Sequence, residues 1–333
     1  MIKIKPYGPE YHDLHHQFAS RHWKKRKRLS SKYIYWKFRG KPDEPIPSFV
    51  LAIDKGKVIG QLGLVPCTVQ VGDEKVKAHW ACDLMVDHEY RGKNIGKKLY
   101  EYAHQLRPLT LGSDASPAAS KSMIKAGYKP AVGPWKFLLA LKIGEVTKLK
   151  GFNSGILNRL SNPFIYVLKC WKMLRGNHIK FSEVDTNTFI PLSESFSKKF
   201  NVRVVHDSSF AAWRYTPFEG YYNGVLLFKN EANAFFSIYK SKDLFLVTEW
   251  GASDAAGCLD IISEVVTQAY RENVLKIKLL ANNKSQYRML SMAGAIKFRT
   301  RTDIIFYSNE EKITNSMDAK YFYYTYLDSD ENI

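Results

Sequence analysis

The order of apolar and polar residues near position 90 predicts a strand, a tight loop and a helix in succession. The apolar run Leu84–Val86 has the length of a short buried strand. The segment Arg91–Gly96 holds two glycines and an asparagine, which favour a sharp turn. Ile95, Leu99 and Tyr102 then recur with the spacing of one helix face. Such a loop directs unpaired N–H groups and the positive end of the helix dipole to one place, so it predicts a pocket for phosphate or pyrophosphate.

The same order of elements is repeated in the second half of the chain. A serine is followed five residues later by a tryptophan, at Ser31 and Trp36 and again at Ser208 and Trp213. After each pair come two β-rich runs joined by a charged turn, then a strand, a helix ended by glycine and a last strand. The second copy has no counterpart of the loop Arg91–Gly96. The repeat therefore predicts two related halves, of which the first binds phosphate.

The repeat also predicts the fold class and a division of the chain. We expect an α/β (α+β) protein of two tandem modules, each a mixed, mostly antiparallel sheet flanked by helices. Residues 1–145 are the predicted first module, residues 181–333 the second, and residues 146–180 a basic linker. A length of 333 residues favours about two domains, and a hydrophobic content of 45% is ample for two cores.

A basic amphipathic helix is predicted in the linker. Asn162 and Pro163 have the pattern of a helix start, and Gly176 is a natural stop. The apolar residues predicted to share one face of this helix are Phe164, Val167, Leu168, Trp171 and Leu174. We expect that face to dock on protein. The alternative is that residues 163–175 contact an anionic membrane surface.

The net charge of +18 is the compositional outlier. A positive field attracts anionic partners, which include CoA, nucleotide-linked substrates, anionic lipid and nucleic acid. The densest cluster is Lys24–Arg28, for which a solvated helix end and a contact with substrate phosphate or membrane are both open. DNA is not expected as a partner, because no zinc-finger or basic-zipper pattern accompanies the cluster.

Cysteine and histidine usage predicts a cytoplasmic protein without a metal. The chain has no Cys-x-x-Cys pair, and widely spaced cysteines of this kind are typical of reduced thiols. These are Cys67, Cys82, Cys170 and Cys258. His12, His15 and His16 lie close together on a predicted helix, but no further set of ligands follows them. No stretch approaches the ~18–20 consecutive apolar residues of a membrane span.

The segment Arg91–Gly96 resembles the acyl-CoA-binding signature of the GNAT superfamily of N-acetyltransferases, written Arg/Gln-x-x-Gly-x-Gly/Ala. Arg91 and Gly96 match it, and Asn94 stands where the signature usually has glycine. Asparagine tolerates positive φ better than most residues, so we expect the loop to form. The resemblance implies a tandem GNAT protein with acetyl-CoA, or another acyl-CoA, as co-substrate. The residues implied to hold its pyrophosphate are Arg91, Gly92, Lys93, Asn94, Ile95, Gly96 and Lys97.

The resemblance also implies roles for the strand Asp83–Val86. In this superfamily, backbone N–H groups of that strand polarise the carbonyl oxygen of the thioester. The side chains implied to line the pantetheine arm are Leu84, Met85 and Val86. Acyl transfer to an amine also needs a base. Asp83 is the predicted base, and Glu249, at a comparable strand end in the second half, is the reserve. Met123 stands where many members have a tyrosine that acts as the general acid, so the general acid is left unassigned.

Together these features predict an acyl-CoA-dependent N-acyltransferase, expected to be an N-acetyltransferase, that acts on a small primary amine. The positive charge favours an anionic acceptor, and a nucleotide-linked amino sugar fits. The run Tyr321–Asp330 looks like the endings of tandem GNAT proteins from bacterial polysaccharide loci.

Two alternatives stay open for the activity. One is a tandem GNAT transferase that takes an amino acid from charged tRNA, which the positive charge suits. The other is a CoA-binding module without catalysis, which Asn94 and Met123 favour, because both depart from the pattern of the superfamily.

Overall fold

A computed structural model gives the fold of the chain. The described residues are 1–23, 30–39, 46–142, 144–145, 162–175, 180–218, 220–317 and 321–329. The basic cluster Lys24–Arg28 and much of the predicted linker lie outside them.

The strands of the described residues are numbered in chain order. They are β1 (Lys3–Pro6), β2 (Phe49–Asp54), β3 (Lys57–Val71), β4 (Glu74–Val86), β5 (Leu109–Ser113), β6 (Lys129–Ala140), β7 (Ser182–Glu183), β8 (Val202–Val204), β9 (Leu226–Lys229), β10 (Phe235–Ser241), β11 (Leu244–Gly251), β12 (Lys276–Ala281), β13 (Ile296–Ser308) and β14 (Phe322–Tyr323).

The α-helices of the described residues are numbered in the same way. They are α1 (His12–His22), α2 (Ser31–Arg39), α3 (Ile95–Ala103), α4 (Pro117–Lys125), α5 (Phe164–Arg175), α6 (Thr186–Ser197), α7 (Ser208–Arg214), α8 (Ala255–Arg271), α9 (Lys284–Met292) and α10 (Glu311–Met317).

One sheet runs through both halves of the chain, in the order β1-β2-β3-β4-β5-β13-β6-β12-β11-β10-β9-β7. Strand β8 pairs with β3 and β14 beside this path. Neighbouring strands are antiparallel except for the pairs β4/β5, β11/β12 and β8/β14. The predicted mixed, mostly antiparallel sheet flanked by helices is therefore confirmed.

The two halves are joined at the middle of this sheet. Strand β13 from the second half lies between β5 and β6, and β6 pairs on its other side with β12. Ser113 at the end of β5 is level with Ile304, and Ala281 at the end of β12 is level with Trp135. Because β5 and β12 run in opposite directions, their carboxyl ends approach each other across β13 and β6.

The repeated tryptophans meet in the core between the halves. Trp213 Nε1 donates to the backbone oxygen of Trp36 at 2.7 Å, and the two ring centroids are 6.4 Å apart. Both side chains are buried in one hydrophobic cluster with Trp80 and Tyr324. The two tryptophans that stand five residues after a serine are thus in direct contact in the core.

Helix α5 docks on helix α8, but the predicted apolar face is wrong in part. Ile165 and Leu168 are buried, whereas Val167 is 62% exposed and Leu174 is 85% exposed. Ser263 Oγ of α8 donates to the backbone oxygen of Leu168 at 3.0 Å. The buried face of α5 therefore contains Ile165 and Leu168, and Val167 and Leu174 lie on its outer surface. Within the described residues, no helix has the length and apolarity that crossing a membrane requires.

Candidate active site

A cavity of about 520 Å³ lies where β4 ends and helices α3 and α4 begin. Its lining includes every predicted CoA-binding residue except Lys93. The residues of the β4–α3 side are Leu84, Met85, Val86, Tyr90, Arg91, Gly92, Asn94, Ile95, Gly96 and Lys97. The other side is formed by His22, Ser116, Ala118, Ala119, Lys121, Ser122 and Lys125. The Lys93 Nζ instead lies 4.7 Å from the ring centroid of Tyr90.

The loop into α3 has the backbone geometry of a phosphate-binding turn. Gly92 has φ +81° and Asn94 has φ +58°, in the left-handed region. The expectation that Asn94 adopts positive φ is therefore confirmed. Lys98 N donates to the Asn94 oxygen at 3.1 Å, as the first bond of the helix. The N–H groups of the three residues before Lys98 precede that bond, and groups at this position of a helix point out of its start, where an anion can bind.

Gly96 brings α3 close to α4 at the floor of this cavity. A Cβ on Gly96 would lie 3.0 Å from Ser122 Oγ and 3.4 Å from Leu84 Cδ2. Helix α4 itself is fixed at its start by Ser116, whose Oγ accepts from the N–H of Ala119 at 3.3 Å. A larger residue at position 96 would therefore crowd Ser122 and reduce the volume of the cavity that both residues line.

Strands β4 and β5 separate beside the cavity. Among the described residues they pair over Ala78–Trp80 and Leu109–Leu111, and beyond Trp80 no described strand pairs with the side of β4 that faces β5. The pairing of β4 with β3 shifts register between Gln61 and Gly63, opposite Asp83 at φ +48°. Bulges of this kind change the direction of backbone groups. Backbone N–H groups of Asp83–Val86, the segment implied to polarise the thioester, are therefore available to a carbonyl oxygen.

Asp83 lies in an ion pair at this bulge. Lys37 Nζ donates to Asp83 Oδ2 at 2.7 Å, and the Lys37 side chain is 5% exposed. Gln61 Nε2 donates to the backbone oxygen of Asp83 at 3.4 Å, and Gln61 Oε1 is 2.9 Å from His15 Nε2. Burial lowers the pKa of His15 to about 4, so this histidine is neutral near pH 7.

Glu249 lies elsewhere, in a closed polar network of the second half. Its carboxylate accepts from Ser193 Oγ at 2.5 Å, Tyr323 OH at 2.8 Å and Tyr215 OH at 3.0 Å. His206 Nδ1 is 3.4 Å away. The Glu249 side chain is fully buried, and neither Glu249 nor Asp83 is among the residues that line the cavity of about 520 Å³. Asp83 is paired with Lys37, whereas Glu249 is held by residues of the second half, so the two carboxylates belong to different clusters.

Charge pairing dominates the ionisation of this network. Burial disfavours the charged form of His206, but Asp328 at 2.6 Å and Glu249 at 3.4 Å raise its pKa to about 10. Burial likewise opposes ionisation of Glu249, yet His206 and its hydrogen-bond donors hold the pKa of the carboxyl below its ordinary value. Sequence reasoning could not find these contacts, because the partners of Glu249 lie 34 to 74 residues from it along the chain.

Met123 and Tyr128 are both core residues. Met123 is 1% exposed, and Tyr128 is 4% exposed with its ring 5.4 Å from that of Tyr100. Burial raises the pKa of Tyr128 well above its ordinary value. The hydroxyl of Tyr90, which lines the cavity, donates to Asp54 Oδ2 at 3.0 Å. The general acid thus stays unassigned. Among the described residues, no group of histidine, cysteine and carboxylate side chains could hold a metal ion.

Residues 4–106 match the family model described as an acetyltransferase (GNAT) domain. This part of the chain is similar to that family, and the match covers about a third of the 333 residues. It contains β4, the loop and α3, but α4 lies outside the match. The match supports the prediction of an acyltransferase that uses an acyl-CoA as co-substrate. No curated protein sequence matches the chain.

Solved structures of acyltransferases share the fold over most of the chain. A GCN5-related N-acetyltransferase from Kribbella flavida superposes with a TM-score of 0.61 at 12% identity, covering 92% of this chain and 70% of that one. One from Anabaena variabilis gives 0.60 at 11% identity, covering 92% and 72%. The Saccharomyces cerevisiae N-myristoyltransferase with bound myristoyl-CoA gives 0.60 at 9% identity, covering 92% and 79%. At these identities the likeness concerns the fold.

Proposed function

We propose that the chain is an acyl-CoA-dependent N-acyltransferase, and that it moves an acetyl group from CoA to a small primary amine. The observation that carries this proposal is the start of α3. There, Asn94 in the left-handed conformation and the N–H groups of the first helical turn face a cavity of about 520 Å³. Volumes in this range are those of small-molecule and cofactor sites.

The residues of the cavity fit the chemistry of CoA. The segment Arg91–Lys97 combines backbone donors with cationic side chains, which suits a pyrophosphate. Lys121 and Lys125 add positive charge from α4, where other phosphate oxygens of CoA can bind. The apolar run Leu84–Val86 offers a surface for the pantetheine arm, which leads toward the gap between β4 and β5.

Acyl transfer then needs a deprotonated amine and a polarised carbonyl. In this proposal Asp83 takes a proton from the acceptor ammonium, and the amine nitrogen attacks the thioester carbon. The attacking nitrogen loses its second proton as the C–S bond breaks, and the thiolate takes up a proton and leaves as the free CoA thiol. Backbone N–H groups of β4 beyond Trp80 hold the carbonyl oxygen. Lys37 acts as a positioning residue, since its bond of 2.7 Å fixes one oxygen of Asp83.

An anionic acceptor is the second part of the proposal. The net charge of +18 favours such a molecule, and a nucleotide-linked amino sugar, of the kind used in polysaccharide biosynthesis, combines an anion with a primary amine. An acceptor site between residues 1–145 and residues 181–333 fits this reading, and the pairing of β13 with β5 and β6 supports it, because strands from both parts of the chain then lie near the gap between β4 and β5.

A membrane contact through residues 163–175 is a separate proposal, which the outer surface of α5 favours. Tyr166, Val167, Met173 and Leu174 are 59 to 85% exposed on this helix, whose sequence also carries Lys and Arg. Apolar and basic residues together are typical of helices that lie on anionic lipid. Sedimentation with vesicles of phosphatidylserine and phosphatidylcholine in equal parts tests it. Val167→Glu is expected to release the protein, and unchanged sedimentation of that variant would refute the contact.

An acetyl-transfer assay tests the main proposal. The purified chain is given acetyl-CoA and amines one at a time, including nucleotide-linked amino sugars, and release of the free CoA thiol is followed. Amine-dependent release supports the N-acyltransferase. Acyl-CoA binding without release on any amine supports the non-catalytic module. Transfer of an amino acid from charged tRNA, in the absence of acyl-CoA, would replace the proposal with the tRNA-dependent transferase.

A further inference from the structure

A second cavity, of about 570 Å³, opens at the carboxyl end of β12. We call it the Trp135 cleft, after the β6 residue in its wall. Its lining residues are Trp135, Phe200, Ala281, Asn282, Asn283, Lys284, Tyr287, Arg288, Arg301 and Tyr321. The acyl-CoA cavity shares none of these residues.

Aromatic rings form much of the wall of the Trp135 cleft. Trp135 and Tyr287 have ring centroids 6.1 Å apart, and those of Phe200 and Tyr321 are 6.3 Å apart. The hydroxyl of Tyr321 donates to the backbone oxygen of Ala281 at 2.9 Å, which fixes that ring at the end of β12. Rings held in this way offer flat apolar surfaces to a planar ligand.

Cationic side chains surround the same rings. Lys284, Arg288 and Arg301 line the cleft, and Lys297 Nζ lies 4.4 Å from the ring centroid of Trp135. The guanidinium carbon of Arg301 is 4.5 Å from that centroid. Within the part of the chain that the structure describes, no carboxylate forms an ion pair with any of these four residues. The cleft therefore favours a ligand that combines a flat ring with more than one negative charge.

The position of the cleft relates it to the acyl-transfer site. Ser113 of β5 and Ala131 of β6 are level with each other, since both pair with Ile304 of the intervening strand β13. Trp135 lies four residues further along β6 than Ala131. Strand spacing and rise place the backbone positions of Ser113 and Trp135 about 16 Å apart. A ligand held in the cleft can therefore extend toward the gap between β4 and β5.

We infer that the Trp135 cleft binds the nucleoside diphosphate end of the acceptor, with the base against the aromatic rings and the phosphates on Lys284, Arg288 and Arg301. The link to the acceptor rests on the proposed function, but binding of a nucleoside diphosphate does not. A binding experiment without acyl transfer can therefore fail or succeed independently of the N-acyltransferase proposal.

The experiment is calorimetric titration of the full chain with uridine diphosphate or adenosine diphosphate, in the presence of saturating acetyl-CoA. Acetyl-CoA keeps the nucleotide out of the first cavity. Arg288→Ala is expected to weaken binding about tenfold, the effect of one charge-assisted hydrogen bond. Trp135→Leu is expected to weaken it to a similar degree. Lys242→Ala, which removes one charge at an exposed turn of the second half, is the matched control and is expected to bind normally.

Four results would overturn the inference. The first is that neither nucleotide binds although acetyl-CoA does, and the second is that Arg288→Ala and Trp135→Leu bind the nucleotides as tightly as the unaltered chain. The third is that inorganic pyrophosphate binds as tightly as the nucleotides, which would show that the aromatic rings do not contribute to binding. The fourth is that, in titrations without acetyl-CoA, Arg91→Ala loses nucleotide binding while Arg288→Ala retains it, which would place the nucleotide in the acyl-CoA cavity.

Discussion

Replacing His206 by glutamine tests the buried network around Glu249. In the folded chain the imidazole contacts Asp328 Oδ1 at 2.6 Å and Glu249 Oε2 at 3.4 Å, and its side chain is 5% exposed. These two carboxylates raise the pKa of His206 from its ordinary 6.5 to about 10, against the effect of burial. Glutamine keeps a polar side chain at this position but carries no proton that titrates in that range.

The raised pKa predicts how stability changes with pH. Below about pH 6.5 both the folded and the unfolded chain hold the proton, so the contribution of His206 is fully present. Between about pH 6.5 and 10 only the folded chain holds it, so the free energy of unfolding falls by ~1.4 kcal/mol per pH unit. Over the whole interval the loss is on the order of 5 kcal/mol.

Urea unfolding at pH 7, 8 and 9, followed by circular dichroism, measures this slope. The free energy of unfolding of the unaltered chain should fall more steeply with pH than that of His206→Gln, by ~1.4 kcal/mol per pH unit as long as Glu249 and Asp328 stay ionised in the variant. His88→Gln, at an exposed histidine, is the matched control and should keep the slope of the unaltered chain. Equal slopes for the unaltered chain and His206→Gln would refute the reasoning.

Three further changes test other parts of the structure. Gly96→Glu should abolish acetyl-CoA binding measured by calorimetry, because the new side chain enters the cavity beside Ser122; binding with normal affinity would contradict the assignment. Asp83→Asn should lower kcat by about 10²- to 10⁴-fold with acetyl-CoA affinity unchanged, as loss of a general base does; full activity would exclude this role. Trp213→Phe should cost about 1 kcal/mol in urea unfolding through loss of its bond to Trp36, and no change would show that this bond contributes nothing.

Local features of the site could be predicted from the sequence. The strand, loop and helix around Arg91–Gly96 depend on residues next to each other, so apolar spacing and turn residues were sufficient. The same holds for the positive φ of Asn94, which follows from the conformational preference of asparagine. The hairpin between β2 and β3 was likewise predicted, and it turns through Lys55 and Gly56, both at positive φ.

Features that depend on distant contacts could not be predicted in this way. Insertion of β13 between β5 and β6 joins segments almost 200 residues apart, and the apolar pattern of a strand does not specify its neighbour. The α4 side of the cavity was missed for the same reason, although Ser116 before Pro117 signals a helix start. For α5, spacing allowed two apolar stripes, and which of them is buried depends on how the helix packs against α8, a distant part of the chain.

Acetyl-CoA binding tests the central claim most directly. Calorimetry on the full chain is expected to give micromolar binding, weakened about tenfold or more in Arg91→Ala, because a charge-assisted contact with phosphate is lost. Lys242→Ala removes the same charge at a distant exposed turn and should bind like the unaltered chain. Absence of acetyl-CoA binding, or equal affinity in the unaltered chain and Arg91→Ala, would contradict the assignment of this cavity to CoA.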